Sequence, residues 1–194
     1  MCIRDRVFRT PVNEITREQR SQAKAVNFGI IYGQSAFGLA QNLNISRKEA
    51  KGIIDSYFEE YPTIKKYMEN VVASAREQGY VKTVLDRRRY LPDINSTNAI
   101  VRGYAERNAI NAPIQGSAAD VIKLAMVAVQ KEMFGQKLKS KMILQVHDEL
   151  VFDVHLDEKE VLEKMVKESM EGALKLSVPL EVEYKIAGNW LDAH

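Results

Sequence analysis

Hydrophobic residues recur at helical spacing along the first eighty residues of the chain. In NEITREQRSQAKAVNFGIIYG this spacing predicts a helix over about 17–31 that ends near Gly33, because glycine often follows a last helical turn. Further helices are predicted in SAFGLAQNL, after a capping Ser46, and from Pro62 to Gly79. The first half of the chain is therefore expected to be helical.

The remaining pattern mixes helices with short strands. YVKTVLDRRRYLP predicts a β-hairpin, and Pro113 is expected to separate two helices. Two strands follow, at about 141–146 and 150–154, then an amphipathic helix and a final strand in LEVEYKI. This order predicts an α+β fold, with helices first and then a small antiparallel sheet with packed helices.

The composition of the 194 residues is that of an ordinary globular protein, with 45% hydrophobic and 28% charged residues. No uninterrupted apolar run approaches the roughly 20 residues of a membrane helix. A single cysteine, Cys2, excludes an internal disulfide, so we expect a reducing, cytoplasmic setting. Residues 1–6, MCIRDR, fit no helix or strand pattern and are predicted to be a non-native leader.

Charge is distributed unevenly along the chain. Residues 1–107 carry 18 Lys and Arg against 12 Asp and Glu, whereas residues 108–194 carry 10 against 14. A basic half and an acidic half suit a protein that holds a polyanion on one side and cations elsewhere. Chance asymmetry on solvated surfaces explains the charges equally well.

Four residues of the first helix recur every fourth position and stay on one side of it: Arg20, Lys24, Phe28 and Tyr32. Two cations followed by two aromatic rings match a nucleotide, with phosphates at one end and a base at the other. Gly29 and Gly33 are expected to leave room for a ligand beside the rings. The alternative is that the aromatic residues belong to the core and the cations to the solvated surface.

A second set with the same spacing lies around INAPIQG and consists of Arg107, Asn111 and Gln115. Because Pro113 removes a backbone donor, Gln115 is expected at a kink or on the next helix. All three side chains can donate hydrogen bonds, and every base pair presents acceptors in the minor groove. These donors could therefore test base-pair shape, although helix caps and loops use Asn and Gln as well.

The third set, His147, Asp148 and Glu149, interrupts the apolar stretch KMILQVHDELVFDV. Ionised acids are costly inside an apolar segment unless something binds them. A tight turn between two buried strands would hold Asp148 rigidly as a ligand for a hard cation such as Mg²⁺. An ordinary polar hairpin turn is the alternative.

Together these motifs resemble family A DNA polymerases, the bacterial DNA polymerase I group. RSQAKAVNFGIIYG is similar to the family's fingers-helix motif, RNAINAPIQGSAADVIK to its palm-proximal helices and QVHDELVF to its last catalytic motif. NWLDAH is similar to the family's usual C-terminus, so the resemblance covers about 7–194. It implies a helical fingers part over 7–95 and a C-terminal palm part over 96–194.

The resemblance also implies roles for the first set of residues. Arg20 and Lys24 would bind the triphosphate of a dNTP, and Lys24 would protonate the leaving pyrophosphate. Phe28 would lie against the sugar and base of the nucleotide. Tyr32 would stack at the templating position.

Roles for the other two sets follow from the same resemblance. Residues that would contact primer-template DNA are Arg107, Asn111, Gln115 and His147. Asp148 would bind two catalytic Mg²⁺ ions in the complete enzyme, with Glu149 as an auxiliary acid. The implied activity is template-directed DNA synthesis in replication and repair.

One family motif has no counterpart in this sequence. The first catalytic motif, an aspartate-bearing strand resembling DYSQIELR, is absent, so the chain resembles the C-terminal part of a polymerase whose N-terminal part is missing. With one of two metal-binding aspartates, the chain alone is expected to be inactive. A single-subunit RNA polymerase-like enzyme and a non-catalytic DNA-binding remnant are the alternatives.

Overall fold

The computed structural model describes residues 16–193, except for the side chains at 18, 19 and 22. The predicted leader at residues 1–6 lies outside the described residues. The chain divides into two compact units, Met1–Ile114 and Gln115–His194. The predicted boundary between a fingers part and a palm part, at residues 95 and 96, stays a prediction.

The first unit is mainly helical, as its hydrophobic spacing predicts. Its elements are α1 (Arg17–Ile31), α2 (Ala36–Leu43), α3 (Arg47–Glu60), α4 (Pro62–Gln78), β1 (Tyr80–Lys82) and β2 (Arg88–Tyr90). Ser46 caps α3 in a full capping box with Glu49, and the resulting hydrogen bonds lower the pKa of the Glu49 carboxyl. Pro62 begins α4, and Gly79 ends it with φ 76°.

Two apolar clusters stabilise the first unit. One joins α1, α2 and α3 around Val26, Leu39 and Tyr57. The other packs α4 and the β1–β2 hairpin against a following helix, with Val81 and Leu91 buried. The hairpin pairs as predicted, and its turn residue Asp86 adopts φ 61°, a left-handed conformation that Asp tolerates better than most residues.

Helix α5 (Ala99–Gly135) is 37 residues long and contains Pro113, so the predicted helix break is wrong. Proline costs one backbone hydrogen bond and a clash, but packing on both sides of it retains the helix. Ala109 lies in a core of the first unit and Val129 in the core of the second.

Within residues 16–193, α5 is also long and apolar enough to cross a membrane by length and composition, with an 18-residue window of mean hydropathy 1.3. Counting uninterrupted apolar runs overlooked this segment because small and polar residues are scattered through it. Core helices pass the same test, so no membrane role follows.

The second unit contains β3 (Lys141–Val146), β4 (Glu149–Asp153), a 3₁₀ helix (Leu156–Glu158), α6 (Lys159–Glu171) and α7 (Trp190–Ala193). Strands β3 and β4 pair antiparallel, and Val129, Met133, Leu162 and Met165 form the unit's buried core. The α+β prediction is confirmed. The predicted final strand in LEVEYKI is wrong for the described residues, because this segment pairs with neither strand of the β3–β4 sheet.

Candidate functional site

Helix α1 and the residue that follows it present a stripe of two cations and two aromatic rings, hereafter the α1 stripe: Arg20, Lys24, Phe28 and Tyr32. All four side chains are exposed, with Phe28 at 42% and Tyr32 at 40%. The two rings are stacked with centroids 5.9 Å apart, and Lys24 Nζ lies 5.8 Å from the Phe28 centroid. The aromatic residues are therefore not core residues, because Val26 and Ile30 fill that role on the same helix.

The rest of the first unit holds α1 in place through a polar contact as well as the apolar core. The Tyr57 hydroxyl of α3 donates to Asn27 Oδ1 at 3.1 Å. Burial raises the pKa of Tyr57, and the neighbouring Tyr61 adds to this shift, so the phenol remains a donor. The α1 stripe thus lies on a helix whose opposite side is held by the rest of the first unit.

Gly29 in α1 and Gly33 just after it make room for the protein itself, and the expectation of space for a ligand is wrong. A Cβ on Gly29 would clash with Oε1 of Gln34, whose side chain fills that space. Gly33 has φ 71°, and a Cβ there would lie 3.2 Å from Cγ of Arg107. Close packing at Gly33 brings Arg107 next to the Tyr32 end of the α1 stripe.

Two of the predicted donors on α5 lie in the first unit. The Arg107 guanidinium lies 5.9 Å from the ring centroid of Tyr104, which is 63% exposed. The side-chain oxygen Oδ1 of Asn111 is buried and accepts no hydrogen bond from the described residues. A buried acceptor without a donor is costly, so Asn111 is suited to receive one from a bound molecule. Gln115 is exposed and begins the second unit.

The second unit presents His147 and Asp148 at the tip of the β3–β4 hairpin. Val146 pairs with Glu149, so these two residues alone form the turn. His147 has φ 54°, an uncommon conformation for a residue with a side chain, and the Gln145 side chain donates to its carbonyl. Sequence reasoning missed this supporting role of Gln145.

The expectation of buried strands around the acids is wrong for this chain. Most residues of β3 are exposed, including Ile143 at 59% and Leu144 at 45%. His147 and Asp148 are exposed as well, and Glu149 is partly buried. Ionised acids therefore carry no large burial cost here, because water reaches them.

Glu149 has a partner that its neighbours in the sequence did not reveal. The indole Nε1 of Trp190 donates to Glu149 Oε1 at 3.2 Å. Asn189 caps the short helix α7, because its Oδ1 accepts from the backbone N of Asp192 at 3.0 Å. The C-terminal NWLD segment thus fixes the indole that orients Glu149.

The carboxylates at the β3–β4 turn are a partial donor set for a metal. Among residues 16–193, no group of three or more His, Cys, Asp or Glu could hold an ion. Mg²⁺ is commonly bound by one or two carboxylates together with waters and substrate phosphates. Asp148 and Glu149 fit that mode and do not form a complete protein cage.

Comparisons with known proteins agree with these motifs. A model of DNA polymerase family A matches residues 2–192. DNA polymerase I of Bacillus caldotenax is 54% identical over 187 residues, 96% of this chain and 21% of that protein. DNA polymerase I of Lactococcus lactis subsp. cremoris is 53% identical, over 93% of this chain and 20% of that protein.

A solved structure is also similar to this chain. It is the POL domain of Pol1 from M. smegmatis in complex with DNA primer-template and dNTP. The identity is 49% and the TM-score 0.89, over 92% of this chain and 32% of that chain. The present chain therefore spans about a fifth of the length of the relatives it matches and a third of this domain.

Proposed function

Because this chain belongs to DNA polymerase family A, we propose that it is part of a DNA-directed DNA polymerase that joins dNTPs to a primer. The α1 stripe carries this proposal, since its exposed cations are followed by stacked rings in the order of a nucleotide's phosphates and base. The setting is template-directed synthesis in DNA replication and repair in the cytoplasm. Primer-template DNA and dNTP are the proposed partners.

The α1 stripe would bind the incoming nucleotide. Arg20 and Lys24, one helical turn apart, hold the triphosphate, and Phe28 lies against the sugar and base. The primer 3′ hydroxyl releases its proton to water as its oxygen attacks the α-phosphorus, and the bond to the leaving pyrophosphate breaks. Lys24 gives a proton to that leaving group, a step that general acids accelerate by about 10²–10⁴-fold. Tyr32 stacks at the templating position.

Donors elsewhere would position the nucleic acid. These are Arg107, Asn111, Gln115 and His147. Asp148 would hold Mg²⁺, with Glu149 as auxiliary acid. When two ions are bound, they stabilise the attacking and leaving oxygens and offset phosphate charge. The second carboxylate needed for such a pair would come from the N-terminal part of the same polymerase, so we propose that the chain alone is inactive.

A chimaera tests the proposal. Residues 7–194 replace the matching segment of the Bacillus caldotenax DNA polymerase I, and primer extension is followed with dNTPs. We expect template-directed extension, and we expect Lys24→Ala to lower kcat by about 10²–10⁴-fold with intact folding. A folded chimaera that binds DNA and does not extend a primer would contradict the proposal and favour a non-catalytic DNA-binding remnant.

An RNA polymerase-like activity is tested with the same chimaera. Phe28-Gly29 and INAPIQG resemble the DNA enzymes more than single-subunit RNA polymerases. We therefore expect dNTPs to be used in strong preference to rNTPs. The first catalytic motif of the chimaera comes from the relative. A preference of the chimaera for rNTPs would therefore have to come from residues of this chain.

A further inference from the structure

A second surface that combines aromatic rings with cations lies on the β1–β2 hairpin. Residues 80–90 carry four basic residues and one acidic residue, Asp86, and residues 84–90 are all exposed. The ion pair between Lys82 and Asp86, at 3.0 Å, accounts for one of those basic residues. The three consecutive arginines are Arg87, Arg88 and Arg89.

The strand register assigns the side chains to two faces. Tyr80 pairs with Tyr90 and Lys82 with Arg88, so these four side chains share one face. Val81 points to the other face, and it is buried in the apolar cluster beneath the hairpin. The face with both tyrosines is therefore the outward face.

Contacts on the outward face fix one cation against the rings. The Arg88 guanidinium lies 4.6 Å from the Tyr80 ring centroid, and its side chain also hydrogen-bonds that of Tyr90. The two rings are 5.8 Å apart at 62°, and Tyr90 remains 64% exposed. Cross-strand pairing accounts for the contact between the rings and leaves the exposure of Tyr90 unexplained.

We propose that the outward face of the β1–β2 hairpin binds single-stranded DNA, with Tyr90 stacking on a base and Arg88 contacting a phosphate. Proteins that bind unpaired strands combine aromatic rings with cations that follow the backbone. In a duplex both faces of each base are already stacked, so an exposed ring favours the unpaired strand. The inference deepens the proposed function, because a template contains unpaired nucleotides, but it does not require polymerase activity.

Fluorescence anisotropy with a labelled oligo(dT) of about 12 nucleotides tests the inference on the 194-residue chain. The Arg88→Ala variant should reduce the magnitude of the negative slope of log K against log salt by about 0.7, the contribution of one phosphate that is no longer neutralised. The control, Lys48→Ala, removes one exposed cation of α3 and should leave the slope unchanged. Tyr90→Ala should weaken binding about 5- to 100-fold, whereas Tyr90→Phe should retain it.

A variant that combines Arg20→Ala and Lys24→Ala with the hairpin substitutions distinguishes oligonucleotide binding by the hairpin from binding by the α1 stripe. Circular dichroism establishes that each variant folds. If the Tyr90→Ala variant does not fold, the unsubstituted chain is photo-crosslinked to DNA that contains 4-thiothymidine. A crosslink at Tyr90 supports the inference.

Several results would overturn the inference. They are no binding of the oligonucleotide, equal losses in the hairpin and α3 variants, no crosslink at Tyr90, or equal affinity for a duplex of the same length. Tighter, hairpin-dependent binding of an acidic peptide would assign the surface to a protein partner instead. Primer extension by the chimaera is a separate readout, so failure of this inference is distinguishable from failure of the proposed polymerase function.

Discussion

The α1 stripe and the β3–β4 turn differ in how completely their own unit supports them. In the α1 stripe, Lys24, Phe28 and Tyr32 contact one another in series on a helix whose other side is buried. The β3–β4 turn presents Asp148 from a largely exposed hairpin, where the described residues form no group of three ligands. The proposed nucleotide-binding helix is supported within its own unit, whereas the proposed two-metal centre would need carboxylates from distant segments.

The largest effect is predicted for a substitution that removes the charge of Asp148 at the β3–β4 turn. Asp148→Asn in the chimaera keeps the size of the side chain and should lower kcat by about 10³-fold or more, since metal-assisted charge stabilisation contributes several kcal/mol. Single-turnover extension measures this loss. Asp153→Asn, at the exposed end of β4, is the matched control and should retain activity. Equal activities of the two variants would remove Asp148 from the metal site.

The next effect concerns the support of the α1 stripe. Gly33→Ala should destabilise the chain by about 1–2 kcal/mol, because its left-handed backbone disfavours a Cβ and Arg107 Cγ would lie 3.2 Å away. Urea denaturation measures the loss. Gly52→Ala in α3, where a Cβ meets nothing within 4 Å, should be neutral or stabilising. A neutral Gly33→Ala would show that this close packing is dispensable.

Helix boundaries were predictable because local chemistry decides them. Ser46 and Gly79 form the predicted caps, and α1 ends near Gly33 as predicted, where the backbone adopts a positive φ. The β1–β2 and β3–β4 hairpins likewise follow their local patterns. Each of these features depends on residues within a few positions of one another, which sequence spacing describes directly.

The features that sequence reasoning missed depend on distant partners. The LEVEYKI segment has strand composition and lacks a neighbouring strand in this unit. Glu149 meets Trp190, 41 positions away. The prediction of a helix break at Pro113 was wrong because packing on both sides of the proline outweighed one missing hydrogen bond.

A smaller effect should follow from removing the hydrogen bond to Glu149, the proposed auxiliary acid. Trp190→Phe keeps a ring and removes the N–H that donates to Glu149, so kcat in the chimaera should fall by about 2- to 10-fold with KM for dNTP unchanged. If Trp190 acts through Glu149, the Glu149→Ala/Trp190→Phe double variant should be no slower than Glu149→Ala alone. Additive losses would instead indicate a separate role for the indole.

The smallest predicted effect is a loss of stability that occurs only at acidic pH. Glu158 accepts hydrogen bonds from the backbone N of Lys139 and from Ser140, at 2.7–3.0 Å, and these bonds lower the pKa of its carboxyl to about 2. A depressed pKa contributes stability that is complete above the unfolded value of 4.5 and is lost as pH falls towards 2. Acid titration followed by circular dichroism should show this loss.

Glu158→Gln provides the control for the acid titration. The substitution removes the titrating group, so the part of the acid transition between pH 4.5 and 2 that belongs to Glu158 should disappear. An unchanged acid transition in the variant would assign that loss of stability to other carboxyls.

Primer extension by the 194-residue chain alone tests the central claim most directly, that this chain carries a nucleotide-binding helix and only part of a metal centre. The chain and the chimaera are assayed side by side with primer-template DNA, dNTPs and Mg²⁺, together with their Asp148→Asn variants. We predict extension by the chimaera and none by the chain above the level without enzyme. Template-directed extension by the chain alone, abolished by Asp148→Asn, would contradict the account.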